Sequence, residues 1–384
     1  MHAKRILYLD IHVIQVVPPS CICRDDTGHP KTCIFGGYPR SRVPSQSWKR
    51  AAREYAQDFF GDTGVRTKKI VAVLARALSE LTGCAPGKAE LFVRKCLADA
   101  GIVSVKEDAK ETAAFFSRDQ IAAMNGVICG YYDGEGAAIA EELCKAEQKK
   151  KSDKEKKSDK TKISDSVKKE LIAAAKEKPA DSQLLFGRMF ASNPSLSFDA
   201  ACQVADAISV DEVREEVDYF TSVGDKDILR SVYGVEEDHA GSDYVDSKYF
   251  NSGTLYRYAN VNLSEGTELD ATDAAEVAAQ FLESFVMSMP SGKIHAHANT
   301  TLPEMVVVEL RDHRPVNYSP AFLKPVRKNE NADIAETAVE RMLAYASRCN
   351  SGFNKTLAHW EVEPGRLPLD EVCRQVRDEI NRRM

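Results

Sequence analysis

Seven basic residues fall between positions 24 and 53 (Arg24, Lys31, Arg40, Arg42, Lys49, Arg50 and Arg53), against only Asp25 and Asp26. Such side chains suit a polyanion, because Arg and Lys donate charge-assisted hydrogen bonds to phosphate oxygens. Trp48, Ala52, Tyr55 and Phe59 recur at i, i+4, i+7 and i+11, an apolar stripe that predicts a helix from Ser47, with Ser45 or Ser47 able to cap it. At about 100° per residue, Lys49, Arg50 and Arg53 all point away from that stripe. They crowd a helix N-terminus, where the macrodipole favours acids. A bound phosphate resolves the conflict, since free N–H groups, dipole and cations then share one anion.

Other constellations are weaker. Asp25 and Asp26 could hold Mg²⁺ or act as acid and base, yet Arg-Asp-Asp-Thr-Gly is equally a turn sequence. Cys21, Cys23, His29 and Cys33 gather zinc-type ligands without the usual C-x2-4-C spacing. His295 and His297 follow Lys293 and share a face with it, but one pair is no catalytic site. Gly134-x-Gly136 follows no clear strand and lacks the third glycine of a dinucleotide loop. The chain has no G-x-S-x-G, H-E-x-x-H or Walker A pattern. The expectation is therefore a binding protein and not an enzyme, with no catalytic residue, metal or cofactor.

The elements that must position these groups read as follows. With 384 residues, 43% of them hydrophobic, and a net charge of −6, the chain can bury two or three ordinary domain cores. No apolar run is long enough for a membrane span, and residues 4–17 are interrupted by Asp10, His12 and Gln15, so a cytoplasmic protein is expected. The ten cysteines are scattered, which suits reduced thiols. Residues 6–17 alternate, with Leu7, Leu9, Ile11 and Val13 opposite Tyr8, Asp10 and His12, as a half-buried strand does. A long loop is expected from Pro18 to about Pro44. Helical patterns fill about 58–180, and strand patterns return at 255–263 and 305–311 around a helix carrying Ala278, Leu282, Phe285 and Met289. This order fits an α+β, ferredoxin-like sheet with helices on one face and large insertions. Two amphipathic helices close the chain.

Charge is segregated. Residues 145–169 carry eleven lysines against five acids, and residues 211–246 carry twelve acids against Arg214, Lys226 and Arg230. The lysine tract has no aromatic residue and is expected to be mobile. A basic surface and an acidic one at different places on one chain favour head-to-tail contacts between copies.

The run from His12 to Arg53, HVIQVVPPSCICRDDTGHPKTCIFGGYPRSRVPSQSWKRAAR, resembles the CasC family, the backbone subunit of the type I-E CRISPR Cascade surveillance complex in the RAMP superfamily. LLFGRMFA (184–191), DYFTSVGD with YFNSGTLYRYANVNL (218–263), and LPEMVVVELRDHRPVNYSPAFLKPV (302–326) resemble it in the same order. The resemblance implies a modified RRM-like, ferredoxin-like palm (1–57, 181–210, 254–384), a helical fingers insertion (58–180) and a hairpin thumb (211–253). Copies would form a helical filament along the CRISPR RNA (crRNA) spacer in the bacterial cytoplasm. They would hold the guide for pairing with target DNA, beside other Cascade subunits, in antiviral defence by DNA interference. Arg24, Lys31, Gln46, Lys49 and Arg53, with Arg40, Arg42, Arg50 and Arg188, would contact RNA, and Met189 would press on bases. Lys324 and Arg327 would add a basic patch. Tyr219, Phe220, Thr221 and Val245 would lie in the thumb. The lysine tract matches the family only in character; its composition as a mobile polycation is what suggests that Lys149, Lys150, Lys151, Lys156 and Lys157 serve target DNA. Tyr38 and Pro39 depart from the family's basic turn. RAMP relatives that cleave target RNA through a loop aspartate make Asp25 or Asp26 the alternative, a ribonuclease.

Overall fold

The computed structural model describes residues 4–62, 64–103, 113–150, 162–190, 193–222, 226–234, 244–328, 332–353 and 355–384. The chain begins with strands β1 (Tyr8–Ser20), β2 (Thr32–Phe35) and β3 (Tyr38–Val43), then helix α1 (Ser45–Phe59). Next come β4 (Val65–Thr67), α2 (Ile70–Thr82), α3 (Pro86–Asp99), β5 (Ala114–Phe116), α4 (Arg118–Tyr131), α5 (Ala137–Lys150), α6 (Asp165–Lys176) and α7 (Asp181–Phe186). It continues through β6 (Cys202–Val204), β7 (Ala207–Ser209), β8 (Glu216–Ser222), α8 (Lys226–Tyr233) and β9 (Tyr244–Asn262). The last elements are α9 (Ala274–Met287), α10 (Ile294–His297), β10 (Met305–Arg311), α11 (Ile334–Gly352), β11 (Ala358–Val362) and α12 (Leu369–Arg383).

Two compact units result, one of residues 1–56, 203–265 and 274–384, the other of residues 57–202 and 266–273. The first is built on a sheet ordered β11-β10-β1-β9-β7-β3-β2, and those neighbours pair antiparallel. Where a long loop is expected between Pro18 and Pro44, the chain forms the β2–β3 hairpin. The first half of β9 leaves the sheet and pairs β8 from Glu216↔Phe250 to Ser222↔Tyr244. This hairpin occupies the segment where a thumb is expected.

β1 is not half-buried. Asp10 and His12, on the face read as exposed, have no solvent exposure. β1 runs between β9 and β10, and helices cover both sides of it. On one side Arg257, in register with Val13, lies 3.8 Å from the Trp48 ring of α1 and 4.6 Å from Phe285 of α9. On the other, Ile14, Tyr256 and Val307 pack with Tyr318, Phe322 and Met342 of α11. The expectation of helices on one face fails because Asp10 is satisfied internally and needs no water, and His12 Nδ1 lies 2.9 Å from Tyr256 Oη.

That satisfaction is a network. Asp10 accepts from Arg311 Nε (2.8 Å), Tyr258 O–H (2.8 Å) and Val316 N–H (2.9 Å). Glu309 accepts from Arg311, Tyr318 O–H and Asn350 Nδ2, and His359 Nδ1 lies 3.2 Å from it. Burial works to raise Glu309, but His359, Arg311 and Tyr318 hold it down at about 2. Hydrogen bonding to Glu309 raises His359 above its ordinary value, against burial and with further help from Glu361. A histidine raised on folding stabilises below its unfolded pKa of about 6.5, and loses that contribution as pH climbs through its folded value. The urea midpoint should therefore fall as pH rises above about 6.5, and less steeply in His359→Gln. Equal slopes in the two proteins would show that His359 is not coupled to the network.

The second unit is helical around Leu74, Leu78, Phe92, Leu97, Phe116, Met124, Ile128 and Leu171, all buried. Gly83 at φ 70° ends α2, Pro86 opens α3, and Ser117 with Gln120 forms a capping box on α4. Leu81, three residues beyond Leu78 on α2, is 69% exposed and outside that core.

Candidate nucleic-acid interface

The basic residues of the first unit are placed by backbone pairing around Cys23. Its carbonyl accepts from Lys31 N–H at 2.9 Å, its Sγ from Ser47 Oγ at 3.6 Å, and the Lys31 carbonyl from Arg42 N–H at 2.9 Å. The turn that carries Arg24 and Lys31 is thereby tied to the first turn of α1 and to β3. Arg24 and Gln46 are exposed, while Lys31, Lys49 and Arg53 are half-buried. Arg24, Lys31 and Lys49 are in no ion pair among the described residues.

The conflict inferred at the helix start has an internal answer. Asp206, between β6 and β7, accepts from Ser45 N–H at 2.8 Å and Arg42 Nε at 2.7 Å. Burial opposes its charge, yet these donors hold it below the ordinary carboxylate range. One anion at the α1 N-terminus is thus a side chain of the protein, and it occupies Arg42. Arg50 pairs with Glu54 one turn on, at 2.7 Å.

Two expected RNA contacts are corrected. Arg40 has no solvent exposure, and its guanidinium donates to the carbonyls of Ser209 and Phe322, each at 2.8 Å. It rivets β3 to the segment before Lys324. The β2–β3 turn approaches the same segment so closely that a Cβ on Gly36, at φ 62°, would meet the Leu323 carbonyl oxygen at 1.9 Å. Arg40 is thereby buried against the segment that leads into the exposed Lys324. Arg188, in the second unit, is 5% exposed and donates to four acceptors inside that unit. Its neighbour Met189 is 88% exposed.

The hairpin divides its expected residues between two faces. Cross-strand pairing puts Tyr219, Thr221 and Val245 on one face, all exposed. Phe220 is on the other, its ring 6.1 Å from that of Tyr244 and 3.9 Å from Lys248 Nζ. Phe220 stiffens the strand pair, whereas Tyr219 and Val245 offer apolar surface to a partner. Lys149 and Lys150 end α5 with side chains outside the described residues, and Lys151, Lys156 and Lys157 lie outside them altogether.

The remaining motifs do not assemble into sites. Asp25 Oδ1 accepts from Thr27 Oγ1, Thr27 N–H and His29 N–H, which lowers its pKa and commits it to the turn. Asp26 is exposed. His29 Nδ1 faces Glu215, away from the cysteine grouping, and no metal-capable group of three is present among the described residues. Gly134 and Gly136 lie in a π-helical turn between α4 and α5, not in a strand-to-helix loop.

Asp206, Glu215 and the Asp10 network were not identified from the sequence, because each acts through a partner distant along the chain. The buried Arg188 did leave a signal, an isolated cation in the apolar run Leu184–Phe190.

Comparison with known proteins gives one family. The family described as CT1975-like protein matches residues 9–374. A solved chain titled CRISPR RNA-guided surveillance complex, pre-nicking, is 31% identical with a TM-score of 0.74, covering 98% of this chain and 100% of that one. Another, titled CRISPR RNA-guided surveillance complex, is 26% identical with a TM-score of 0.65, covering 98% and 99%. No curated protein matches at a significant level.

Proposed function

This chain belongs to the CT1975-like family, and from that premise we propose that it is a backbone subunit of a type I-E Cascade-like complex. The end-to-end match to a chain titled CRISPR RNA-guided surveillance complex, pre-nicking, carries this reading. The surface agrees with it: Arg24, Lys31 and Lys49, in no ion pair among the described residues, lie on one tied turn and helix and suit a phosphate backbone. In this role the first unit holds crRNA. Tyr219 and Val245 of the β8–β9 hairpin bear on bases, and further copies and other Cascade subunits continue the assembly. Lysines near the end of α5 attract target DNA through counterion release. Sequence is read by pairing between guide and target, while the protein holds backbone and shape. Work in the bacterial cytoplasm fits a chain in which no described helix is long and apolar enough to cross a membrane.

Purification tests the proposal. Expressed with a CRISPR array, the protein should elute as a large species with a nucleic-acid absorbance ratio and release RNA of discrete length on phenol extraction. An RNA-free monomer under the same conditions would reject it.

A further inference from the structure

His29 joins two parts of the proposed interface. The turn that bears it is rigid: Asp25 N–H donates to the His29 carbonyl at 2.9 Å, Asp25 Oδ1 accepts from His29 N–H at 3.0 Å, and Arg24 bridges Pro30. With its backbone fixed, His29 projects its imidazole onto the root of the β8–β9 hairpin. Nδ1 lies 2.9 Å from both carboxylate oxygens of Glu215, the residue before β8. The ring stacks on Tyr249 of β9 at 3.7 Å between centroids. Tyr249 pairs with Val217, next to the first rung of the ladder. Both side chains of this contact are about one-third exposed, so it is partly shielded but not core. Nothing in the sheet requires it, because the hairpin is held by β9 and the turn by its own hydrogen bonds.

We propose that His29 is a positioning residue that sets the hairpin bearing Tyr219 and Val245 against the turn bearing Arg24 and Lys31. The proposal rests on the RNA-backbone reading. Two elements that touch one RNA at phosphates and at bases must keep a fixed spacing if bases are to be displayed at regular intervals. A face-on ring and a carboxylate clamp fix both distance and angle, as a single flexible ion pair does not.

The test compares wild type, His29→Ala, Glu215→Ala, the double variant and His29→Gln, each assembled on guide RNA. Base reactivity to dimethyl sulfate and total RNA affinity are both measured. The expected result is that His29→Ala and Glu215→Ala each blur the periodic reactivity pattern by about fivefold, with the double variant no worse than either. RNA affinity and unfolding midpoint should stay at wild type, and His29→Gln, which keeps a planar donor, should restore part of the pattern. A wild-type pattern in both single variants, or effects that simply add, would overturn the role of His29 while leaving the RNA-backbone reading intact. Wild-type protein that carries no RNA would overturn that reading, and this proposal with it.

Discussion

Replacing Lys31 and Lys49 together by Glu should leave the fold unchanged and remove guide RNA from the purified protein. Both side chains are half-exposed and make no ion pair among the described residues, so little stability is at stake. A phosphate contact on a single strand releases about 0.7 of a counterion, which at about 0.15 M salt is worth roughly fourfold in affinity. Losing two contacts costs roughly 14-fold, and reversing the charge doubles the exponent, to roughly 10²-fold. The Lys31→Gln/Lys49→Gln protein should flatten the plot of log affinity against log salt by about 1.4. Arg50→Glu should have a smaller effect, because Glu54 already engages that guanidinium. Arg40 offers no equivalent test, since charge reversal at a site with no exposure damages the fold first. Titrating labelled guide RNA at four salt concentrations decides the matter, and wild-type affinity in the Glu/Glu protein would refute the phosphate assignment.

How much of this was legible in the sequence depends on the distance between partners. The α1 stripe was readable because i, i+4 and i+7 neighbours sit on one helix face, and Trp48 and Ala52 are indeed buried, although Phe59 is 67% exposed. The strand at 255–263 was readable from alternation, but not its start at Tyr244, since the outer half of β9 faces water on both sides and carries no burial pattern. The polar residues of β1 misled: alternation reports polarity, and a buried polar face looks like a wet one until Arg311 and Tyr258, some 250 to 300 positions away, are brought to it. The cations at α1 pointed to an anion, and part of that anion is Asp206, more than 150 residues away. In each case local periodicity was sufficient for the element and silent about what the element meets.

Arg188 carries the second large effect, and it should be read in stability. Its guanidinium donates to Leu196 carbonyl (2.8 Å), Ala175 carbonyl (2.9 Å), Phe115 carbonyl (3.2 Å) and Gln120 Oε1 (3.2 Å). It also lies 4.4 Å from the ring of Phe198 and 5.2 Å from those of Phe116 and Phe190. Burial lowers its pKa to about 10, which leaves it charged at neutral pH. Among the described residues no carboxylate pairs with it, so backbone dipoles and aromatic faces solvate the charge. Arg188→Met keeps the length and removes every donor, leaving the Leu196 and Ala175 carbonyls without that partner, while the Phe115 carbonyl and Gln120 Oε1 keep Gln183 and Ser117 as donors. Each such acceptor costs about 1 to 3 kcal/mol, and with some relaxation the total should be about 3 to 5 kcal/mol. Arg188→Lys should recover less than half, because a single ammonium cannot span the fork. Urea unfolding followed by far-ultraviolet circular dichroism should show the loss, and hydrogen exchange should place it in α4, α6 and α7. Trp48 and Trp360 both belong to the other unit, so their fluorescence provides a separate reading of that part. An RNA contact predicts the reverse, unchanged melting with weakened RNA binding, and finding that in Arg188→Met would return the residue to the interface.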